Sequence, residues 1–309
     1  MKFYKSYFKK PDQNIYWMEN WVKSIEDNNG RNYSKRSIAT SIGKTQVYIL
    51  NADSKHTESL VIFPGARTSV LFWDLDKGLD HLKIDAKIYL VETNGLPNLS
   101  DGLTPDIYKM GFGKWATEVL DGLNLDRCFV AGASFGGLIC MKLALTNPER
   151  LKAIFLLNPG CLQPFSMSCK NLFYNLLPIV FPSQRNIRIF LDNAVFCKPN
   201  HQLSAFGAQH LIDYEEFALK NYKDNTQKPY YMDTELEEVE VPTHLLVGAK
   251  DLLFPYRKSV SNALARIPAL GDVKIFENVG HGIETHSEAI SYIGQKIREY
   301  IRVKNQIPQ

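Results

Sequence analysis

The chain has 309 residues, of which 45% are hydrophobic, and a formal net charge of +3. That length allows one large domain, or a core with an inserted subdomain, and the apolar content suffices for a substantial core. The net charge is small and the basic residues are scattered, so the chain lacks the basic surface patch of a nucleic-acid-binding protein. We therefore exclude nucleic-acid binding.

The amino-terminal ten residues lack the continuous apolar core of a secretion signal, and no stretch of the chain reaches the roughly 20 apolar residues that span a bilayer. We therefore expect a cytoplasmic protein without a membrane span. The cysteines are odd in number and show no Cys-x-x-Cys spacing, so we expect buried, reduced thiols and neither a disulfide framework nor a metal site. They are Cys128, Cys140, Cys161, Cys169 and Cys197.

Residues 1–35 are aromatic and charged and are predicted to form an amino-terminal arm that packs on the core. Five of its apolar residues would line one face of a short helix. The next two apolar stretches, 37–41 and 46–50, predict a hairpin with its turn at Gly43-Lys44. The helix residues are Ile15, Trp17, Met18, Trp21 and Val22.

From residue 60 onward, apolar runs alternate with helical patterns. Residues 60–63 and 86–91 are typical of buried strands, and a helical pattern begins near residue 70 between them. Thr104-Pro105-Asp106 has the cap and the proline of a helix start. This alternation predicts an α/β fold with a mostly parallel sheet, helices on both faces, and the active site at the carboxyl ends of the strands.

The segment 128–139 places one serine between two small residues, where an apolar strand gives way to an apolar helix. Gly132-x-Ser134-x-Gly136 has the spacing of a nucleophile elbow, in which the serine is strained and a side chain two residues to either side would collide. Ser134 is therefore the candidate nucleophile. The alternatives are an inert serine in a Gly-rich turn and a phosphate loop, but the segment contains neither phosphate-loop glycine motif.

After the elbow helix, residues 151–157 predict another buried strand, and the alternation then stops. Residues 161–240 are helical in pattern with no convincing strand, and we interpret them as an inserted helical cap; the alternative is ordinary extra core helices. The core would comprise residues 36–160 and 241–309. Its later elements are a strand at 241–248, a helix near 256–267, a strand at 273–276 and a last helix that begins at the capping-box pattern Thr285-x-x-Glu288.

A serine hydroxyl needs a base to remove its proton, and that base needs an acid to hold its ring. Asp251 and His281 each follow a strand end, in the chain order Ser, Asp, His. The alternatives are that Asp251 caps a helix, with Glu277 as a substitute acid, and that His281 is an ordinary loop histidine. The remaining histidines are expected to be structural: His56, His81, His201, His210, His244 and His286.

An oxyanion needs two fixed donors. The backbone amide of Phe135, directly after the candidate nucleophile, is one, and the loop after strand 60–63 offers Ala66 as the second. With these motifs, residues 36–302 resemble the α/β-hydrolase superfamily, and within it the chain is similar to bacterial carboxylesterases with a helical cap. One departure is Pro64-Gly65, where many members have His-Gly. A serine at the elbow, where haloalkane dehalogenases and epoxide hydrolases have aspartate, argues against those relatives.

The resemblance implies a serine hydrolase that cleaves a small to medium apolar ester and needs no cofactor. The same residues would also suit a lactone, amide or carbon–carbon bond hydrolase, an acyltransferase, or a ligand sensor with little turnover. Arg67, beside the oxyanion loop, is interpreted as a solvated surface arginine, with the pairing of a substrate carboxylate as the alternative. The sequence leaves the oligomeric state open.

Overall fold

The computed structural model describes residues 3–53, 55, 58–225 and 229–306. The described strands are β1 (Phe3–Lys5), β2 (Tyr7–Phe8), β3 (Ser34–Thr40), β4 (Gly43–Leu50), β5 (Ser59–Phe63), β6 (Lys87–Val91), β7 (Leu103–Pro105), β8 (Cys128–Ala133), β9 (Leu151–Leu157), β10 (Tyr222–Lys223), β11 (Thr243–Gly248) and β12 (Leu270–Phe276). The described α-helices are α1 (Pro11–Asn29), α2 (Gly111–Gly122), α3 (Phe135–Thr146), α4 (Cys169–Val180), α5 (Gln184–Phe190), α6 (Ala205–Asn221), α7 (Tyr256–Arg266) and α8 (Ser287–Gln306).

Eight strands form the central sheet, in the order β12-β11-β9-β8-β5-β6-β4-β3. The strands from β12 to β6 pair in parallel, whereas β4 pairs antiparallel with both β3 and β6. Side chains of β5 alternate between two core clusters: Leu60 and Ile62 belong to one, and Val61 and Phe63 to the other. The sheet is therefore covered by helices on both faces, which confirms the predicted α/β class.

The amino-terminal helix α1 has 19 residues and is longer than predicted. Its buried stripe has the helical spacing i, i+3, i+4, i+7 and consists of Met18, Trp21, Val22 and Ile25. Ile15 is 41% exposed and does not belong to that stripe, so the prediction for Ile15 was wrong. The two short strands before α1 pair with distant segments, β1 with β7 and β2 with β10, and tie the arm to the rest of the fold.

Several predicted element boundaries were wrong for local reasons. Gly43 and Lys44 are the first residues of β4. The hairpin turn precedes them and lies between Thr40 and Gly43, which pair with each other. Thr104 and Pro105 do not start a helix, because they lie in β7 and pair with β1; the helix α2 begins only at Gly111. The helical pattern after β5 is a 3₁₀ helix, Val70–Leu82, that is interrupted at residues 75–77.

The segment between β9 and β11 contains α4, α5 and α6, in agreement with the helical pattern. It also contains the two-residue strand β10, which the sequence pattern missed because its partner β2 lies in the amino-terminal arm. The predicted capping box at the start of the last helix was wrong. The helix α8 begins at Ser287, and the Thr285 hydroxyl donates to the carbonyl oxygen of Gly282.

The five cysteines are free thiols, but they are not all buried. Cys128, Cys140 and Cys161 are buried as expected, whereas Cys169 is exposed at the start of α4 and Cys197 is partly exposed. The expectation of uniform burial was therefore wrong for Cys169 and Cys197. None of the helices in the described part of the chain is long and apolar enough to cross a membrane.

Candidate active site

Ser134 lies at the turn between β8 and α3. Its backbone has φ +50° and ψ −109°, a region that non-glycine residues rarely occupy. The strand before it is fully buried, and the serine itself is only partly buried. A strained turn of this kind holds the serine side chain out at the end of the strand, where a substrate can reach it.

The two glycines around Ser134 are required by close backbone approach. A Cβ on Gly132 would lie 2.3 Å from the backbone carbon of Gly136, and a Cβ on Gly136 would lie 2.3 Å from the carbonyl oxygen of Phe63. Real Cβ atoms do not tolerate such distances. The steric reason given for the Gly-x-Ser-x-Gly spacing therefore holds at both positions.

Asp251 and His281 are joined by a hydrogen bond of 2.9 Å between Oδ2 and Nδ1. The Asp251 side chain is 0% exposed, and its other oxygen accepts from the backbone amides of Leu253 and Phe254 at 2.8 and 3.1 Å. An aspartate held in this way fixes the ring orientation of the histidine and directs Nε2 away from the carboxylate. The two loops that carry these residues follow β11 and β12, which are neighbours in the sheet.

The pKa of His281 is raised above the ordinary histidine value. Burial is the largest single influence and lowers this pKa, but the charge of Asp251, its hydrogen bond and the charge of Glu284 together outweigh burial. Burial in turn raises the pKa of Glu284. Glu277, the alternative acid, is exposed, and the Nδ1 atom of His281 is bonded to Asp251.

Asn158 connects the loops of the candidate acid and base. Its side-chain amide donates to the carbonyl oxygens of Gly280 and His281 at 2.8 and 3.0 Å, and its Oδ1 accepts from the amide of Gly248 at 2.8 Å. The side chain is 2% exposed, so these bonds are shielded from water. The sequence analysis did not identify Asn158, which directly follows the predicted strand 151–157.

Gly160 lies close to both Ser134 and the Phe254 ring. A Cβ on Gly160 would lie 3.2 Å from the Phe254 ring and 3.8 Å from the backbone carbon of Ser134. The Phe254 ring centre is 5.7 Å from that of His281. Within the described residues no hydrogen bond joins the serine hydroxyl to the His281 ring, a bond that commonly forms only in the substrate complex.

The two candidate oxyanion donors belong to separate segments that adjoin Ser134. Phe135 is the first residue of α3, so its N–H has no acceptor within the helix, and the positive end of the helix dipole favours an anion there. On the other side, a Cβ on Gly65 would lie 3.6 Å from the Ser134 Cβ. The loop that carries Ala66, which is exposed, therefore runs directly past the serine.

A buried carboxyl holds that loop. Glu92, at the end of β6, accepts from the Ser69 hydroxyl at 2.5 Å and from the Val70 amide at 3.1 Å. Burial raises the pKa of Glu92 to about 7.

Arg67 pairs with Asp224 at 2.5 Å and is 45% exposed, so its guanidinium already has a carboxylate partner within the protein.

The other described histidines have structural partners or lie at the surface. His201 contacts the Thr285 hydroxyl, His210 contacts Ser24, and His244 contacts the hydroxyl of Tyr300. His56 lies outside the described residues. Across the ranges that the structure describes, no group of three or more histidine, cysteine, aspartate or glutamate residues is arranged to hold a metal ion.

A family model described as serine aminopeptidase, S33, matches residues 116–288, a range that includes Ser134, Asp251 and His281. Among curated relatives, the uncharacterized carboxylesterase nap of Bacillus subtilis (strain 168) is 22% identical over 281 residues, which are 87% of this chain and 87% of that protein. The carboxylesterase YbfK of the same organism is 22% identical over 275 residues, 85% of this chain and 86% of that one.

Among solved structures, the naproxen esterase (carboxylesterase NP) from Bacillus subtilis has a TM-score of 0.78 at 19% sequence identity. The match covers 94% of this chain and 99% of that chain. At this level of identity the likeness shows the fold, and the predicted α/β-hydrolase fold is confirmed.

Proposed function

The chain belongs to the hydrolase family described as serine aminopeptidase, S33, and we propose that it is a carboxylesterase that cleaves small to medium apolar esters through an acyl-enzyme on Ser134. Two relatives aligned over most of their length are named carboxylesterases. The description of the family names a peptidase, so amide hydrolysis is the competing activity that an experiment has to separate from ester hydrolysis.

The proposed mechanism is acyl transfer to water. The Ser134 hydroxyl oxygen attacks the ester carbonyl carbon while His281 accepts the hydroxyl proton, and Asp251 holds the ring and stabilises its positive charge. The amides of Phe135 and Ala66 donate to the oxyanion. His281 then passes the proton to the leaving alcohol. Water, deprotonated by His281, then attacks the acyl carbon. The bond from that carbon to the Ser134 oxygen breaks, His281 returns the proton to this oxygen, and the acid is released.

One observation carries this proposal: the hydrogen bond between the buried Asp251 and His281, at the same edge of the sheet as the strained Ser134. A histidine that is held by an aspartate with no solvent exposure is oriented for proton transfer. An inert elbow would not require the left-handed backbone of Ser134 together with this arrangement. These features favour an enzyme over a ligand sensor with little turnover.

We further propose that residues 161–240 form a cap over the site. In support, the amide of Ser166 donates to the carbonyl oxygen of Leu253, and the Phe165 ring contacts Phe254, in the loop that carries Asp251. Val195 accepts a hydrogen bond from Gly282, next to His281. The aromatic side chains of this region favour an apolar acyl or alcohol group over a charged one.

We keep a cytoplasmic location as part of the proposal, supported by the five free cysteines. Three of these thiols are buried in the core, where no disulfide joins them. Free cysteines in this number are typical of proteins that fold in a reducing compartment.

The experiment is hydrolysis of p-nitrophenyl esters from acetate to a long acyl chain, beside the matching p-nitroanilides, by the wild type and Ser134→Ala. We expect ester turnover to exceed anilide turnover, and the variant to lose about 10⁴-fold or more in kcat. The chain-length optimum reports the size of the pocket. Faster turnover of the anilides would assign the site to amide hydrolysis, and equal rates for both proteins would refute the serine mechanism.

A further inference from the structure

Helix α4 and the residues beside it expose an apolar surface that no described part of the chain covers. Of the fourteen large hydrophobic residues that the described chain exposes, six lie within this short stretch, and the others are scattered. We name these six the α4 patch: Met167 (72% exposed), Phe173 (59%), Leu176 (50%), Ile179 (43%), Val180 (59%) and Phe181 (65%). A contiguous exposed apolar surface of this kind marks an interaction site.

The inner side of α4 is anchored, so the patch is a stable surface of the folded protein. Asn171 and Pro178 are the two buried residues of the helix. The Asn171 side chain donates to the carbonyl oxygen of Ser166 at 2.7 Å, and the helix start is capped by the Ser168 hydroxyl. The exposed residues 173, 176 and 180 follow the spacing of one helical stripe on the outer side.

Within the sequence range that contains the α4 patch, residues 161–191, the charged side chains have a single sign. Residues 161–191 contain no aspartate or glutamate and three basic residues, Lys170, Arg185 and Arg188, each of which is exposed. Lys170 and Arg185 form no ion pair within the described residues. Of the carboxylates outside this range, Asp192 pairs with Lys198 at 2.8 Å, and Asp213 of α6 accepts from Gln184 and Gln209.

The apolar side chains of the α4 patch and the basic residues beside them indicate which kind of partner binds there. A second copy of the chain would place the same basic residues against one another, which is unfavourable at an interface. An anionic lipid surface instead receives the apolar side chains at its headgroup boundary and attracts the flanking lysine and arginine residues. We propose that the α4 patch docks this protein on the surface of bilayers that contain anionic phospholipid.

The position of α4 connects this surface to the candidate active site. Ser166, bonded to Asn171 of the helix, donates to Leu253 at 2.9 Å, and Leu253 donates to Asp251 at 2.8 Å. Hydrogen bonds therefore link the start of α4 to the loop that carries the candidate acid. Docking goes beyond the proposed function, because it requires the surface of α4 and not the chemistry of Ser134.

The test is co-flotation of the purified full chain with vesicles of phosphatidylcholine alone and with vesicles that also contain phosphatidylglycerol. We expect the wild-type protein to float with the anionic vesicles and to bind the neutral vesicles only weakly. Ser134→Ala should bind as the wild type does, which keeps this test separate from that of the catalytic proposal. Binding should weaken as salt is raised.

Three variants locate the binding surface. Phe173→Glu combined with Leu176→Glu should abolish co-flotation, whereas Leu264→Glu, on the exposed face of α7 at 67% exposure, should leave it unchanged. Lys170→Gln combined with Arg185→Gln should lower the partition coefficient about 10- to 30-fold, since each basic residue near an anionic surface contributes about fivefold. Unchanged circular dichroism shows that each variant is folded.

Three results would overturn the proposal. The first is no binding of the wild type to anionic vesicles, and the second is equal binding by the wild type and the Phe173→Glu, Leu176→Glu variant. The third is a wild-type dimer in sedimentation velocity that this double variant converts to a monomer, which would assign the α4 patch to a second copy of the chain.

Discussion

The side-chain amide of Asn158 donates a 3.0 Å hydrogen bond to the main-chain oxygen of His281, although the two residues are 123 positions apart. The same side chain accepts from the amide of Gly248, the last residue of β11, three positions before Asp251. One buried asparagine therefore fixes the relative position of the two loops that carry the candidate acid and base.

Replacing Asn158 by alanine tests this positioning role. The change leaves the Gly248 amide and the Gly280 carbonyl oxygen without the partner they have in a buried region, whereas the His281 oxygen still accepts from the amide of Ile283. We therefore expect the unfolding free energy to fall by about 2–4 kcal/mol. We also expect kcat to fall more than KM rises, because the misaligned His281 affects the chemical step. Urea unfolding and steady-state ester kinetics measure the two effects.

The control is Asn262→Ala on α7. This change removes a single 2.7 Å hydrogen bond from the Asn262 side chain to the carbonyl oxygen of Leu162. It should lower the unfolding free energy by about 1 kcal/mol and leave kcat unchanged. If Asn158→Ala keeps the wild-type kcat at a temperature where it is folded, Asn158 serves stability alone.

The pH dependence of activity should respond to Glu284. As the proposed base, His281 accepts a proton only when it is neutral, so we expect kcat/KM to fall as pH drops through the pKa of His281. That pKa is raised from 6.5, and the negative charge of Glu284 is one of its causes. Glu284→Gln removes this charge and should move the acidic limb of the kcat/KM profile to lower pH.

Glu277→Gln is the matched control for this shift. Glu277 precedes His281 by four positions, as Glu284 follows it by three, but its side chain is exposed. Its replacement should leave the acidic limb in place. An equal shift in both variants would mean that overall charge, and not contact with His281, sets the pKa.

The elbow glycines should not tolerate a methyl group. In Gly136→Ala the new Cβ would meet the Phe63 carbonyl oxygen at 2.3 Å, and backbone on both sides prevents relaxation. We expect a loss of about 3 kcal/mol or more in unfolding free energy. Gly30→Ala, where nothing lies within 4 Å and φ is +57°, isolates backbone strain and should cost about 1 kcal/mol. Similar losses in both variants would refute the steric account.

The amino-terminal arm should stabilise the helical segment. The Trp17 ring stacks on Phe217 of α6 with centroids 3.8 Å apart and an interplanar angle of 7°. Trp17→Ala should lower the unfolding free energy by about 2 kcal/mol, whereas Tyr16→Ala, at a position 67% exposed, should change it by less than about 0.5 kcal/mol. Thermal unfolding of both variants checks this, and equal melting temperatures would contradict it.

The sequence predicted those parts of the molecule that depend on local pattern. Buried strands appear as short apolar runs, and Gly132 and Gly136 mark the elbow because backbone contact there excludes any side chain. Asp251 and His281 could be grouped before the structure was known, since the ends of parallel strands converge at one edge of a sheet.

The remaining features depend on contacts that no local pattern carries. The strand β7 at Thr104 exists because β1, about 100 residues earlier, pairs with it. The role of Asn158 depends on carbonyl oxygens 122 and 123 positions away. Glu284 was within reach of sequence reasoning, because a carboxylate three residues after a histidine in a tight turn lies near its ring.

The central claim is that Ser134 is the nucleophile, and covalent capture tests it most directly. The protein is incubated with a fluorophosphonate, and the modified residue is identified by intact mass and peptide mapping. We predict one adduct per chain, on Ser134, that is absent from Ser134→Ala and forms in step with the loss of esterase activity. No adduct, or an adduct on another residue while ester hydrolysis continues, would contradict the account.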